Sequence, residues 1–190
     1  ADLVSRRFAA PILADATHPL RHFPPARERL IERFDAIFKT AGKPYAPPHD
    51  ALRPDVVLQI GALPRSASLR AWLASLAGTP AFVFSACGGG DALPGAADTG
   101  LRFCACWNEV FFRGETRGAA AERSPEQETF LAAWKEADAR FRAKSDAYFR
   151  NASADAGTPT EPQIARFLCG SRPESETAIF VAGDAPVRDV

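Results

Sequence analysis

Residues 53–74, RPDVVLQIGALPRSASLRAWLA, constrain the fold more than any other stretch of this chain. Val56, Val57, Leu58, Gln59 and Ile60 form a mostly β-branched apolar run, the composition of a strand buried on both faces of a sheet. Gly61 ends the run and Pro64-Arg65-Ser66 turns the chain. Ser66 stands where a helix N-cap is needed, and Leu69, Trp72, Leu73 and Leu76 then recur at i, i+3, i+4 and i+7. Strand, glycine turn and amphipathic helix make half a βαβ unit, the corner at which α/β folds place ligands. The free N–H groups and partial positive charge of the helix start suit an anion. The same geometry also serves a plain crossover that binds nothing.

The 190 residues suffice for about one domain with a sizeable core, and a hydrophobic content of 46% argues for a folded chain. The 23 basic and 23 acidic residues cancel, which leaves no electrostatic footprint for nucleic acid or an anionic membrane. No apolar run approaches the length of a bilayer span. The opening ADLVSRRFAAPILAD has no uninterrupted apolar region of the secretory kind. The chain contains no Met, which points to residues cut from a longer reading frame. Cys104 and Cys106 would share one face of a strand, but no second Cys/His pair at zinc spacing accompanies them. With Cys87 and Cys169 they are expected to be buried free thiols of a reducing compartment.

Along the chain, Leu3 to Phe8 suits the end of a helix, and residues 10–14 a short strand. A loop at 15–25 holds His18, Arg21 and His22. Residues 26–40 are expected to form a helix with Leu30, Ile31, Phe34, Ile37 and Phe38 on one face, stopped by Gly42 and Pro44. A proline-rich connector fills 44–54, and 81–85 is a second buried strand. Cys87-Gly88-Gly89-Gly90-Asp91 follows it without the Lys-Ser/Thr of a phosphate loop, and is expected to be a surface loop. Residues 101–107 make another strand. Ser124-Pro125-Glu126-Gln127 is a capping box opening a long helix, whose Phe130, Trp134, Ala137, Phe141 and Tyr148 mark one face. Residues 151–159 form a linker, and Thr160-Glu161-Pro162-Gln163 is a second capping box, before a helix with Ile164, Phe167 and Leu168. A strand at 178–181 and a glycine turn at 182–189 end the chain.

In this frame four segments resemble the family of 2-succinyl-5-enolpyruvyl-6-hydroxy-3-cyclohexene-1-carboxylate synthases, thiamine-diphosphate enzymes of menaquinone and phylloquinone biosynthesis. They are PILADATHPLR at 11–21, IERFDAIF at 31–38 with its aromatic-Asp pair, RPDVVLQIGALP at 53–64 running on to Trp72-Leu73-Ala74, and FVAGDAPVRD at 180–189. All four occur in family order, and the last two are the more specific.

The resemblance implies an α/β fold: a Rossmann-like (DHS-like) parallel sheet flanked by helices, with a truncated second α/β unit at the C-terminus. Residues 1–152 would be the central domain, 153–160 a linker, and 161–190 the incomplete start of the diphosphate-binding domain. In such enzymes 2-oxoglutarate loses CO2 and its succinyl unit is added to isochorismate, chemistry that belongs to thiamine diphosphate and Mg2+. Arg188 matches the family's substrate-binding arginine, a residue type whose planar fork grips carboxylates. Two departures stand near it. Gly183 and Asp184 replace an Asn-Ser pair, so Asp184 would face an anionic substrate with a charge rather than a hydroxyl, a mismatch of about 1–3 kcal/mol. The family's turn lysine falls on Ala67, leaving Arg65 and Ser66 as the turn's candidate substrate contacts.

The activating glutamate and the metal-diphosphate motif of the family have no match here, since Gly183-Asp184-Ala185 lacks the third glycine. The chain alone is therefore expected to hold neither cofactor nor metal and to contain no catalytic residue. A homo-oligomer is expected, in the cytoplasm of a bacterium or in a plastid stroma. Two other functions remain compatible with the residues. One is a non-catalytic structural or dimerisation module of the same fold. The other is an isolated nucleotide-binding Rossmann-like domain, although no GxGxxG follows a strand.

Overall fold

The computed structural model describes residues 2–16, 18–39, 50–76, 78–84, 101–103, 123–152 and 158–170. In chain order the described elements are α1 (Asp2–Phe8), β1 (Ile12–Leu13), two 3-10 turns (Pro19–His22 and Pro24–Arg29), β2 (Leu30–Ile31) and α2 (Phe34–Phe38). A third 3-10 turn (Asp50–Leu52) leads to β3 (Val57–Ile60), α3 (Ala67–Ser75), β4 (Ala81–Phe84), β5 (Leu101–Phe103), α4 (Pro125–Ala152) and α5 (Glu161–Gly170). β3, β4 and β5 pair side by side in parallel, with Val57 opposite Ala81 and Phe82 opposite Leu101. β1 and β2 form a separate parallel pair. β3 and β4 are parallel strands joined through α3, the connection characteristic of an α/β fold.

The β3–α3 corner forms as the sequence demands. Gly61 adopts φ +75°, a conformation that L side chains avoid, and its N–H donates to the Phe84 carbonyl at 2.8 Å. A Cβ at Gly61 would meet nothing within 4 Å, so backbone conformation and not crowding selects glycine. Ser66 caps α3 by accepting the Leu69 N–H at 3.0 Å. Leu69, Trp72 and Leu73 on α3 and Leu76 just beyond it are buried, as their spacing required.

β3 is not buried on both faces. Val57 and Gln59 turn toward the core side, whereas Val56 is 45% and Leu58 38% exposed. Among the described residues the core collects on one face of the strands, where Ala81 and Val83 of β4 meet α2, α3 and α4. Gln59 is tolerated in that face because its Nε2 donates to the Gly61 carbonyl at 2.8 Å.

The helix expected at 26–40 is instead a 3-10 turn, a two-residue strand and a five-residue helix. The reason is the buried Arg29, whose guanidinium donates to Ser5 Oγ at 3.0 Å and to the Pro25 carbonyl at 2.7 Å. Those bonds fix the turn, Leu30 leaves it in extended conformation, and Leu30 and Ile31 pair with Ile12 and Leu13. Leu30, Ile31, Phe34, Ile37 and Phe38 are all buried nonetheless. The strand at 10–14 shortens to Ile12–Leu13, since the residues just past α1 close the helix end, Ala9 at φ +48° and the Ala10 N–H donating to the Ser5 carbonyl.

The first capping box forms in full, with the Gln127 N–H donating to Ser124 Oγ and the Ser124 N–H to Gln127 Oε1; at the second, the Thr160 N–H and hydroxyl both donate to Gln163 Oε1. The Ser124 hydroxyl and the Glu126 backbone N–H hold the exposed Glu126 carboxyl below its usual pKa. A depressed carboxylate stabilises the fold above its unfolded-state pKa, and that contribution disappears as pH falls through the folded one. Glu126→Gln should therefore narrow the loss of melting temperature between neutral and acidic buffer, and an unchanged difference would count against the bond. The expected strand at 178–181, the glycine loop at 87–91 and residues 104–107 lie outside the described residues.

Candidate functional site

The turn between β3 and α3 is held by two carboxylates from distant parts of the chain. Asp15 follows β1, and its Oδ2 accepts the Arg65 N–H at 3.2 Å. Asp35 lies in the first turn of α2 and accepts the hydroxyl proton of Ser66 on Oδ1. Its Oδ2 pairs with Lys39 Nζ at 2.7 Å, one helical turn on. Ser66 is 2% exposed and uses its oxygen twice, donating to Asp35 and accepting from Leu69.

Negative charge is favoured at a helix N-terminus by about 0.3–1 kcal/mol per group. Here Asp15 and Asp35 already provide it, Asp15 on the Arg65 N–H and Asp35 on the Ser66 hydroxyl. The Arg65 side chain is exposed on the solvent side of the turn. A guanidinium there can engage a carboxylate through two parallel N–H donors.

A second charged cluster joins the β2–α2 connection to α4. The Arg33 N–H donates to Asp138 Oδ1 at 2.7 Å, and Arg142 reaches Glu32 at 2.8 Å and Asp138 at 3.7 Å. Arg21 donates to the Glu32 carbonyl at 3.1 Å. Burial lowers the Arg21 pKa, with Glu32 opposing that shift. Every member of this cluster is engaged within the protein, which gives it the character of a clasp.

Of the four candidate substrate contacts, Arg65 and Ser66 are adjacent in the turn, and Asp184 and Arg188 lie outside the described residues. So do Cys87, Cys104 and Cys106, and the side chain of Cys169. Asp15 and Asp35 were not singled out from the sequence as site residues. The signal was present, since each sits in a segment that carries the resemblance, as ILAD and as the Phe34-Asp35 pair. Among the described residues no group of three or more His, Cys, Asp or Glu could hold a metal ion, and no helix is long and apolar enough to cross a membrane.

No protein-family model matches the chain. It is 30% identical over 189 residues to the 2-succinyl-5-enolpyruvyl-6-hydroxy-3-cyclohexene-1-carboxylate synthase of Synechococcus elongatus, covering 98% of this chain and 28% of that enzyme. The chain is homologous to a segment of these synthases. The enzyme of the same name from Bacillus pumilus is 28% identical over 189 residues, 29% of its length. That of Microcystis aeruginosa is 43% identical over 63 residues, a third of this chain and 10% of the enzyme. The chain thus spans under a third of the length of the curated synthases it matches end to end.

Proposed function

We propose that this chain is the central, Rossmann-like (DHS-like) part of a thiamine-diphosphate-dependent carboligase. The whole enzyme would decarboxylate 2-oxoglutarate and add the succinyl unit to isochorismate in menaquinone or phylloquinone biosynthesis. Residues 153–160 would link this part to the first elements of the diphosphate-binding domain at 161–190. The observation that carries the reading is co-linear similarity to the synthases across 98% of the chain. A parallel β3–α3–β4 unit in the expected place supports it.

The cofactor supplies the electron sink for decarboxylation when bound. Among the described residues no group of three or more His, Cys, Asp or Glu could hold its metal. What this chain contributes is carboxylate binding by Arg65 and Arg188, with Ser66 beneath Arg65 as the cap that holds its turn. Asp184, four positions before Arg188 in the sequence, would set a negative charge toward the anionic substrate at some cost in affinity. Assembly as a homo-oligomer belongs to the same proposal.

The test is the whole enzyme supplied with thiamine diphosphate, Mg2+, 2-oxoglutarate and isochorismate. It should release CO2 and form the succinyl adduct. Arg188→Ala should raise the KM of one substrate by roughly tenfold or more, since a hydrogen bond to a charged group contributes about 1.5–3 kcal/mol. Intact cofactor binding without consumption of 2-oxoglutarate would falsify the reading in favour of a non-catalytic module.

A further inference from the structure

We propose that Asp35 is a positioning residue for Arg65, acting through Ser66. The inference rests on the reading of Arg65 as a carboxylate-binding side chain and extends it. Consecutive residues of the turn are tied to different elements: the Arg65 N–H to Asp15 after β1, and the Ser66 hydroxyl to Asp35 on α2. Ser66 is buried, so its hydroxyl cannot rotate away without leaving a donor and the Leu69 N–H without partners. Lys39 pairs with Asp35 at 2.7 Å, so the carboxylate that anchors the turn is itself charge-balanced.

The consequence is mechanical. The guanidinium of an arginine loses less entropy on binding when its backbone is already fixed, and its planar fork demands a set direction of approach. Asp35 never touches the substrate in this scheme. With Asp15 on the Arg65 N–H and Asp35 on the Ser66 hydroxyl, negative charge already lies beside the start of α3, and discrimination among anions falls to the fork of Arg65. Planar carboxylates suit that fork better than a compact monovalent ion does.

The experiment compares KM and kcat for both substrates in the whole enzyme carrying Arg65→Ala, Asp35→Ala, Asp35→Asn and the Asp35→Ala/Arg65→Ala double change, each with its melting temperature. Arg65→Ala identifies the substrate concerned by raising one KM. Asp35→Ala should raise the same KM by roughly tenfold, the scale of a small misplacement of a binding group, with kcat little altered. Asp35→Asn keeps an acceptor for Ser66 and should recover most of that loss. In the double variant Asp35→Ala should add nothing to Arg65→Ala. If Asp35→Ala does not fold, Ser66→Gly breaks the same link while remaining an acceptable cap, and should raise the same KM. A KM that responds to Arg65→Ala but not to loss of the Asp35–Ser66 bond overturns the positioning role and leaves Arg65 as a ligand. Multiplying effects in the double variant overturn it too. A KM indifferent to Arg65→Ala overturns both statements.

Discussion

Trp134→Ala is expected to destabilise the fold by about 3–5 kcal/mol, the range for truncating a large buried aromatic. Trp134 is 1% exposed at the meeting point of α2, α3 and α4. It packs edge-on against Phe38 at 5.8 Å, Trp72 at 5.7 Å and Phe130 at 6.4 Å between ring centroids. Phe38 and Trp72 are themselves stacked at 4.6 Å. Removing the indole therefore opens a cavity against three rings at once, and rings already stacked on each other cannot collapse into it freely.

Trp134→Phe separates volume from polarity. The indole Nε1 is buried and has no hydrogen-bond partner among the described residues, a state that costs about 1–3 kcal/mol unless ring faces offset it. Phenylalanine removes that donor while keeping edge-to-face contact, so its cost should stay near about 1 kcal/mol. Urea unfolding of the two variants gives both numbers. Equal losses for Ala and Phe would show that the N–H has a partner worth as much as the ring.

These rings also show what the sequence could and could not disclose. The i, i+3, i+4, i+7 spacing after Ser66 identified the buried face of α3, and the two capping boxes located the starts of α4 and α5, because these signals are local. Burial of Leu30 and Ile31 was legible, but their conformation was not. It depends on Arg29 bonding Ser5, 24 residues away, and on parallel pairing with β1. The apolar run in β3 was legible as a strand, but its exposed face was not, since helix placement decides which side of a sheet is covered. At the site, Ser66 was recognisable as a cap and Arg65 as a cation. Their attachment to Asp35 and Asp15, 31 and 50 positions away, depends on the tertiary fold. Side chains that hold a turn from afar carry no periodic signal.

The same holds for Asp138, whose replacement is the second large effect expected. It looks like one more polar residue of α4, yet it is 6% exposed and joins that helix to the entry of α2. Its Oδ1 accepts the Arg33 N–H at 2.7 Å, and its Oδ2 lies 3.7 Å from both the Arg33 and the Arg142 guanidinium. Asp138→Ala should cost about 3 kcal/mol, because it strands a backbone donor and leaves a guanidinium short of its partner. Asp138→Asn keeps the acceptor for Arg33 and gives up the charge, so about 1 kcal/mol is expected. The exposed Arg142–Glu32 pair is worth at most about 1 kcal/mol, and Arg142→Ala should fall below both Asp138 variants. α2 carries Phe34, Ile37 and Phe38 into the core and Asp35 to the β3–α3 turn. Loosening its entry should therefore weaken the aromatic core and raise the KM governed by Arg65 together. Urea midpoints and that KM, measured across the Asp138 series, should move in the same order, and a series in which stability falls while KM holds still would place Asp138 in the core alone.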